Sequence, residues 1–196
     1  MRHLTACAIP CAFIILMAGC ASTPAARYYT LSAAPTPAAT PSDLSVVVGP
    51  VSVPAVVDRP QVVVTAGPNQ VQIEEFARWA SPLQNNIARV VAENLVALLG
   101  TPHVTLFPQT LSTDAGYRAV IEVQGFESTP GEAATLDAVW TVRRMKDGKT
   151  DTGRTTVREA VQEKDYDALA AAHSRAVGRL SQDIANAVTA LDRSGR

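Results

Sequence analysis

Two stretches of this 196-residue chain repeat apolar side chains at three- and four-residue steps, and they limit the folds open to it. The first stripe is Leu83, Ile87, Val90, Val91, Leu95 and Leu98. Ser81-Pro82 supplies a start signal, with Ser as N-cap and Pro at the first helical position, and Gly100 followed by Thr101-Pro102 supplies the stop. The second stripe, over about residues 165–191, carries Leu169, His173, Ala176, Leu180, Ile184, Ala187 and Leu191. Each predicts a helix with one face against a core. Between and before them the apolar residues alternate or form short β-branched blocks. Residues 46–54 read as a buried strand followed by an irregular edge, and residues 61–65 as a second run. Gly67-Pro68-Asn69 then turns the chain into 70–79, where Val71 and Ile73 alternate with Gln70, Gln72 and Glu74. Further strands are predicted at 103–107, 117–126, 134–144 and 154–162, with Asp147-Gly148 in a hairpin loop. In 117–126, Ala119, Ile121 and Val123 share a face, and in 134–144 Leu136, Ala138, Trp140 and Val142 do so. The pattern predicts an α+β two-layer sandwich, a mainly antiparallel sheet with both amphipathic helices packed on one face.

Upstream of this body the chain changes character. Arg2 and His3 precede an apolar run from Leu4 to Leu16 that ends in Met17-Ala18-Gly19-Cys20. The run is too short for a stop-transfer helix and reads as an export signal. The small pair directly before a cysteine resembles the lipobox of bacterial lipoproteins. That resemblance implies cleavage after residue 19 and a diacylglycerol on Cys20; the competing reading is an uncleaved apolar helix or an ordinary secretory signal with an incidental cysteine. Two or three acyl chains give essentially permanent membrane attachment, since each buried methylene contributes about 0.8 kcal/mol. The expected organisation is a signal peptide at 1–19, a lipidated Pro/Ala/Thr-rich tether at 20–43 and one periplasmic domain at 44–196. Within the tether, Tyr28-Tyr29-Thr30-Leu31 is strongly strand-forming and is expected to dock on the body as an edge strand. Ala21 follows the cysteine where retention in the inner membrane of many Gram-negative bacteria favours aspartate, which points to the periplasmic leaflet of the outer membrane.

Composition narrows the function. With 17 Lys plus Arg against 18 Asp plus Glu, and no basic patch interleaved with aromatics, nucleic acid is not an expected partner. Cys7 and Cys11 leave with the signal and Cys20 is the lipid site, so the body has no disulfide, thiol nucleophile or cysteine metal site. No G-x-S-x-G elbow or nucleotide-binding glycine loop is present. Gly148 and Gly153 have hairpin chemistry around them, and His173 on the apolar stripe is expected to be a satisfied buried histidine. His103 has no second histidine at ligand spacing, and Glu74, Glu75, Glu122 and Glu127 read as a solvated sheet face. The reading is of a protein that is not an enzyme and needs no metal or cofactor.

Three sets of residues carry a family resemblance. Tyr28-Tyr29-Thr30-Leu31, then Val48-Gly49-Pro50-Val51 running into Asp58-Arg59-Pro60-Gln61-Val62-Val63, then Arg78-Trp79-Ala80-Ser81-Pro82-Leu83 resemble the successive landmarks of the PqiC lipoproteins. These are auxiliary lipoproteins of MCE-type transport systems. An acidic residue is usual at the position of Ser81, but serine serves equally as an N-cap. The resemblance implies an outer-membrane partner for a periplasm-spanning MCE tube that moves phospholipid or other hydrophobic molecules, and a homo-oligomeric ring. The other readings are a stand-alone lipoprotein holding a hydrophobic ligand between helices and sheet, and a structural factor in outer-membrane assembly.

The landmark residues bear two readings each. Asp58 and Arg59, before Pro60, are a salt-bridged turn or a charged contact on a partner. Trp79 is a core aromatic with Arg78 as its solvated neighbour, or a partner-facing hot spot. Tyr28 and Tyr29 are an edge strand or a subunit contact.

Overall fold

In the computed structural model, residues 24–34, 39–108 and 115–195 are described; the signal segment and Cys20 lie outside them. The elements in chain order are β1 (Arg27–Tyr29), β2 (Val46–Ser52), β3 (Gln61–Gly67), β4 (Gln70–Trp79), α1 (Leu83–Leu99), β5 (Val104–Leu106), β6 (Tyr117–Thr129), β7 (Ala133–Arg144), β8 (Thr150–Ala160) and α2 (Tyr166–Arg193). They form an open α+β sandwich, as the two periodicities require.

The strands divide into two sheets, of order β5-β2-β6-β7-β8 and β1-β4-β3. The antiparallel meander is β6-β7-β8, with Ile121 opposite Trp140 and Trp140 opposite Gly153. The expected single, mainly antiparallel sheet is modified at β2, which pairs parallel with both β5 and β6. Its Val46, Val47 and Val48 are all buried. A strand covered on both faces carries a continuous apolar run, and such runs are the mark of parallel pairing.

Both helices cover the five-stranded sheet: α1 lies over β2 and β5, and α2 over β7 and β8, with the helices packed against each other. Val90, Leu95, Leu136, Leu180 and Ile184 are fully buried and fill the layer between. Each contributes about 1.5–3 kcal/mol relative to exposure. α1 starts one residue later than expected. Pro82, not Ser81, is its N-cap, and no side chain caps the helix. At the other end Gly100 adopts the left-handed conformation (φ 63°), and a side chain there would run into the Thr40 carbonyl. α2 is capped by Asp165, whose carboxylate accepts from the Ala168 N–H at 2.7 Å. Its far end is clamped by Arg144, which is 2% exposed. The Arg144 guanidinium donates to Asp147 at 3.0 and 2.6 Å and to the Leu191 carbonyl.

The docked part of the N-terminal segment extends beyond the predicted island. Leu31 is buried, the Ser32 N–H donates to Ser174 Oγ (3.1 Å) on α2, and the Ala34 N–H donates to Asn94 Oδ1 (2.9 Å) on α1. Asn94 in turn donates to Ser181 Oγ at 3.1 Å. Past the undescribed residues 35–38, the Ala39 and Ser42 N–H groups donate to the Ala97 and Gly100 carbonyls at 3.0 and 2.9 Å. Pro24 and Pro41 work against regular helix in this segment, but the polar seam between the two helices supplies its backbone with the partners that buried amides need.

Gly153 is not hairpin chemistry. It lies within β8 under the Trp140 ring, where an added Cβ would stand 2.3 Å from the indole. That ring cannot yield easily, because its N–H donates to Thr155 Oγ1 (3.0 Å), which itself donates to Asp183 (2.6 Å). Gly153→Val is therefore expected to cost about 1–3 kcal/mol by overpacking. Urea unfolding checks this, with Thr152→Val as the exposed neighbouring control.

Candidate functional site

The six landmark residues meet at one junction, where β1 and β4 end and α1 begins. Backbone geometry brings them there. Tyr28 pairs with Arg78 and Tyr29 with Trp79 across the parallel β1–β4 ladder, and Gln61 pairs with Arg78 on the other side. The Trp79 N–H donates to the Pro60 carbonyl at 2.7 Å, and the Ala80 N–H to the Tyr29 carbonyl at 2.8 Å. Three chain segments far apart in sequence are thus tied by main-chain bonds. Side chains then divide between inside and outside. Tyr29 (8% exposed) and Trp79 (6%) enter the core, whereas Tyr28 (65%) faces solvent.

Asp58 and Arg59 make no ion pair with each other or with another described residue, so the salt-bridged turn is not what holds this segment. The turn is held by backbone instead. The Val57 and Asp58 N–H groups donate to the Pro54 carbonyl (3.0 and 3.1 Å), and the Arg59 N–H to the Val57 carbonyl (2.9 Å). Asp58 is exposed and Arg59 half-buried. With Pro60, Trp79, Pro82 and Gln84 they line a cleft of about 420 Å³. Within it, Arg59 Nε and Gln84 Oε1 are both buried without a hydrogen-bond partner among the described residues. A donor and an acceptor left unsatisfied in the lining of one cleft are costly unless something meets them. Arg78 is outside the cleft: it donates to the Glu75 carbonyl at 2.9 Å and bridges the Glu75 carboxylate at 3.7 Å. An exposed pair of this kind contributes at most about 1 kcal/mol.

Beneath the cleft runs a stack of rings. Trp79 meets Phe126 edge-on at 6.0 Å, and Phe126 lies flat on His173 at 3.7 Å and 9°. His173 Nε2 shares a hydrogen bond of 2.8 Å with Ser128 Oγ, and Nδ1 has no partner among the described residues. Burial pushes the His173 imidazole down to about 3. It is neutral at neutral pH and buried, as its place on the apolar stripe predicted, but only one of its two ring nitrogens is satisfied among the described residues. Beside the junction, the Tyr166 phenol packs on Tyr29 at 5.8 Å. It is pushed up to about 12 by burial and then by its hydrogen bond with Glu74. Among the described residues no three His, Cys, Asp or Glu side chains are grouped to hold a metal ion.

The burial of Trp79 agrees with the core-aromatic reading of the two, while sequence reasoning missed Gln84 and the Phe126–His173 stack. Gln84 had a faint signal, two residues beyond Pro82 in the first turn of the helix. The stack had none, since Phe126 and His173 lie on separate elements and meet only when α2 closes over β6.

The model of one family, described as the ABC-type transport auxiliary lipoprotein component, matches residues 29–185, from the buried tyrosine of β1 to the last third of α2. The chain belongs to this family of transport auxiliary lipoproteins. The resemblance read from the landmarks is thereby borne out. Two solved structures show the same fold. Protein XCC0632 from Xanthomonas campestris is 22% identical with a TM-score of 0.71, over 87% of this chain and 100% of the other. A second, described only as an uncharacterized protein, is 21% identical with a TM-score of 0.68, over 83% and 98%. No curated protein matches the chain. As an auxiliary lipoprotein the chain is a membrane-associated component of a transport system with a partner, in a family that is not one of enzymes. No helix among the described residues is long and apolar enough to cross a membrane.

Proposed function

We propose that this auxiliary lipoprotein is lipidated on Cys20, sits on the periplasmic leaflet of the outer membrane and holds the outer end of an MCE-type tube there, without catalysing a reaction. It acts as a homo-oligomeric ring, and the tube carries phospholipid or another hydrophobic molecule between the membranes. The observation that carries the docking role is the convergence of Tyr28, Asp58, Arg59 and Trp79 on one junction with an unsatisfied donor and acceptor in its cleft. A peptide group from a partner loop supplies the complement: its carbonyl accepts from Arg59, its N–H donates to Gln84, and Trp79, Pro60 and Pro82 form apolar walls. The role of Trp79 is to shape the floor. The exposed Asp58 and the half-buried Arg59 set the charge at the rim.

Arg59→Glu replaces the one positive charge at that rim with a second negative charge beside Asp58 and is expected to weaken binding to the MCE tube by at least about tenfold, in line with truncation of a desolvated charged contact. Pull-down of the mature protein with the tube measures it, with a thermal melt to show that the variant is folded. A folded Arg59→Glu protein that binds unchanged makes the junction architecture and removes the docking role from it. Native mass spectrometry tests the ring; a stable monomer with extractable lipid supports the stand-alone ligand-binding reading instead.

A further inference from the structure

The three-stranded sheet has a direction, and the first described residues of the chain lie along it. β1 and β4 run parallel with Arg27 opposite Ala77, so the chain upstream of Arg27 leads back along β4 towards Gln70. Pro24 and Ala25 continue that path and, with Glu74 and Phe76, line a cleft of about 400 Å³. Cys20 is four residues before Pro24. A fully extended chain spans no more than about 3.6 Å per residue, so the Cα atoms of Cys20 and Pro24 are within about 15 Å of each other. If the lipid is on Cys20, this end of the small sheet is held at the bilayer surface and is not free to range on a long tether.

The residues found there suit that surface. From Gln61 to Ile73, through the whole β3–β4 hairpin turn, there is no charged side chain. Val71 and Ile73 alternate onto one face of β4 and are 51% and 41% exposed, although β4 is the central strand of its sheet. The alternation predicted from sequence is present, but Val71 and Ile73 are left about half exposed among the described residues, although Val63, opposite Ile73 on β3, is buried. Phe76 is 43% exposed beside the incoming segment. Among the described residues, four of the nine large exposed hydrophobic side chains belong to β1 or β4. Charges begin only at Glu74 and Glu75, and these are engaged with Tyr166 and Arg78. An uncharged hairpin with a Gly67-Pro68-Asn69 tip, amide side chains and exposed Val and Ile enters the headgroup region without desolvating an ion.

We propose that the β3–β4 hairpin, led by Val71 and Ile73, rests in the headgroup region of the leaflet that holds the Cys20 lipid and orients the body on it. This rests on the lipid-anchor reading above. The acyl chains supply the attachment, and the hairpin supplies the angle. β4 is ten residues long. At about 3.3 Å per residue it places the Trp79 junction some 30 Å along the strand from its Gln70 end, out in the aqueous space where a partner can reach it.

The mature body has no cysteine of its own, so single labelled cysteines report position cleanly. Lipidated full-length mature protein carrying Val71→Cys, Ile73→Cys or, on the far edge strand, Thr152→Cys is labelled with bimane. It is then reconstituted on phosphatidylethanolamine and phosphatidylglycerol vesicles containing headgroup spin-labelled lipid. The expected result is quenching several-fold stronger at 71 and 73 than at 152. Equal quenching at the three positions overturns the inference, as does a disulfide between two copies of the unlabelled Val71→Cys protein under mild oxidation, which makes a second copy the occupant. Vesicle flotation separates the two readings. Wild-type protein that fails to float, or floats equally well as Cys20→Ser, overturns the anchor and the inference together. Wild-type protein that floats through Cys20, together with unquenched probes in the Val71→Cys and Ile73→Cys proteins, overturns the inference alone.

Discussion

Trp79→Ala is expected to destabilise the folded protein by about 3–5 kcal/mol, the range for truncating a buried aromatic. The indole is 6% exposed and meets Phe126 edge-on, so its removal leaves a void under the cleft and takes one side away from the Phe126–His173 stack. For a domain whose total stability is about 5–15 kcal/mol this is a large fraction. Urea unfolding at neutral pH measures it, with Trp79→Phe expected to recover much of the loss because the edge-on aromatic contact is kept. A cost below about 1 kcal/mol for Trp79→Ala refutes the core assignment. The conservative variant bears on the proposed docking too: a folded Trp79→Phe protein that binds an MCE tube as wild type does makes Trp79 the floor of the proposed docking cleft and not the contact itself.

Acid is expected to loosen the protein through His173. Its imidazole titrates at about 3 in the fold because it is completely buried, against 6.5 ordinarily. The unfolded chain therefore takes up a proton that the folded chain refuses. The stability this contributes is complete above pH 6.5 and is lost as pH falls towards 3, at up to about 1.4 kcal/mol per pH unit. Between pH 7.5 and 4.5 the loss is about 2–3 kcal/mol. Asp147, held low by the Arg144 guanidinium, and Asp137, held low by Arg154, act in the same direction but only near and below their ordinary 3.8. The window from 6.5 to 4.5 therefore isolates the histidine. Urea midpoints at pH 7.5, 5.5 and 4.5 test this, with His173→Phe expected to flatten the dependence. That variant loses stability at neutral pH, because Ser128 Oγ is left without its bond, but the flattening is read from the slope. An unchanged slope in a folded His173→Phe protein refutes the assignment.

The helices and the meander were legible because their information is local. The stripes at Leu83, Ile87 and Val90 and at Leu180, Ile184 and Leu191 repeat at the helical period, and Leu136, Ala138, Trp140 and Val142 at the strand period. One buried face per element is all that such patterns encode. The order of the strands was not local. Val46, Val47 and Val48 say that β2 is covered on both sides but not that its neighbours β5 and β6 run parallel to it. Gly153 looked like turn chemistry because its reason for being glycine, the Trp140 ring, is thirteen residues away and adjacent only through the register of β7 and β8.

The landmark residues show the same limit at the candidate site. Tyr28-Tyr29, Asp58-Arg59-Pro60 and Arg78-Trp79 identified the family, since order and spacing survive in a linear string. Their convergence on one cleft, the inward turn of Tyr29 and Trp79, and the orphaned Arg59 Nε and Gln84 Oε1 appear only once the β1–β4 ladder and the Pro60 carbonyl have drawn three segments together. By itself the sequence determined an α+β body of two helices and alternating strands, and membership in a family of transport lipoproteins. The tertiary structure alone decided which apolar residues are left uncovered, such as Val71 and Ile73, because burial depends on what other parts of the chain pack against and not on a residue's own hydrophobicity.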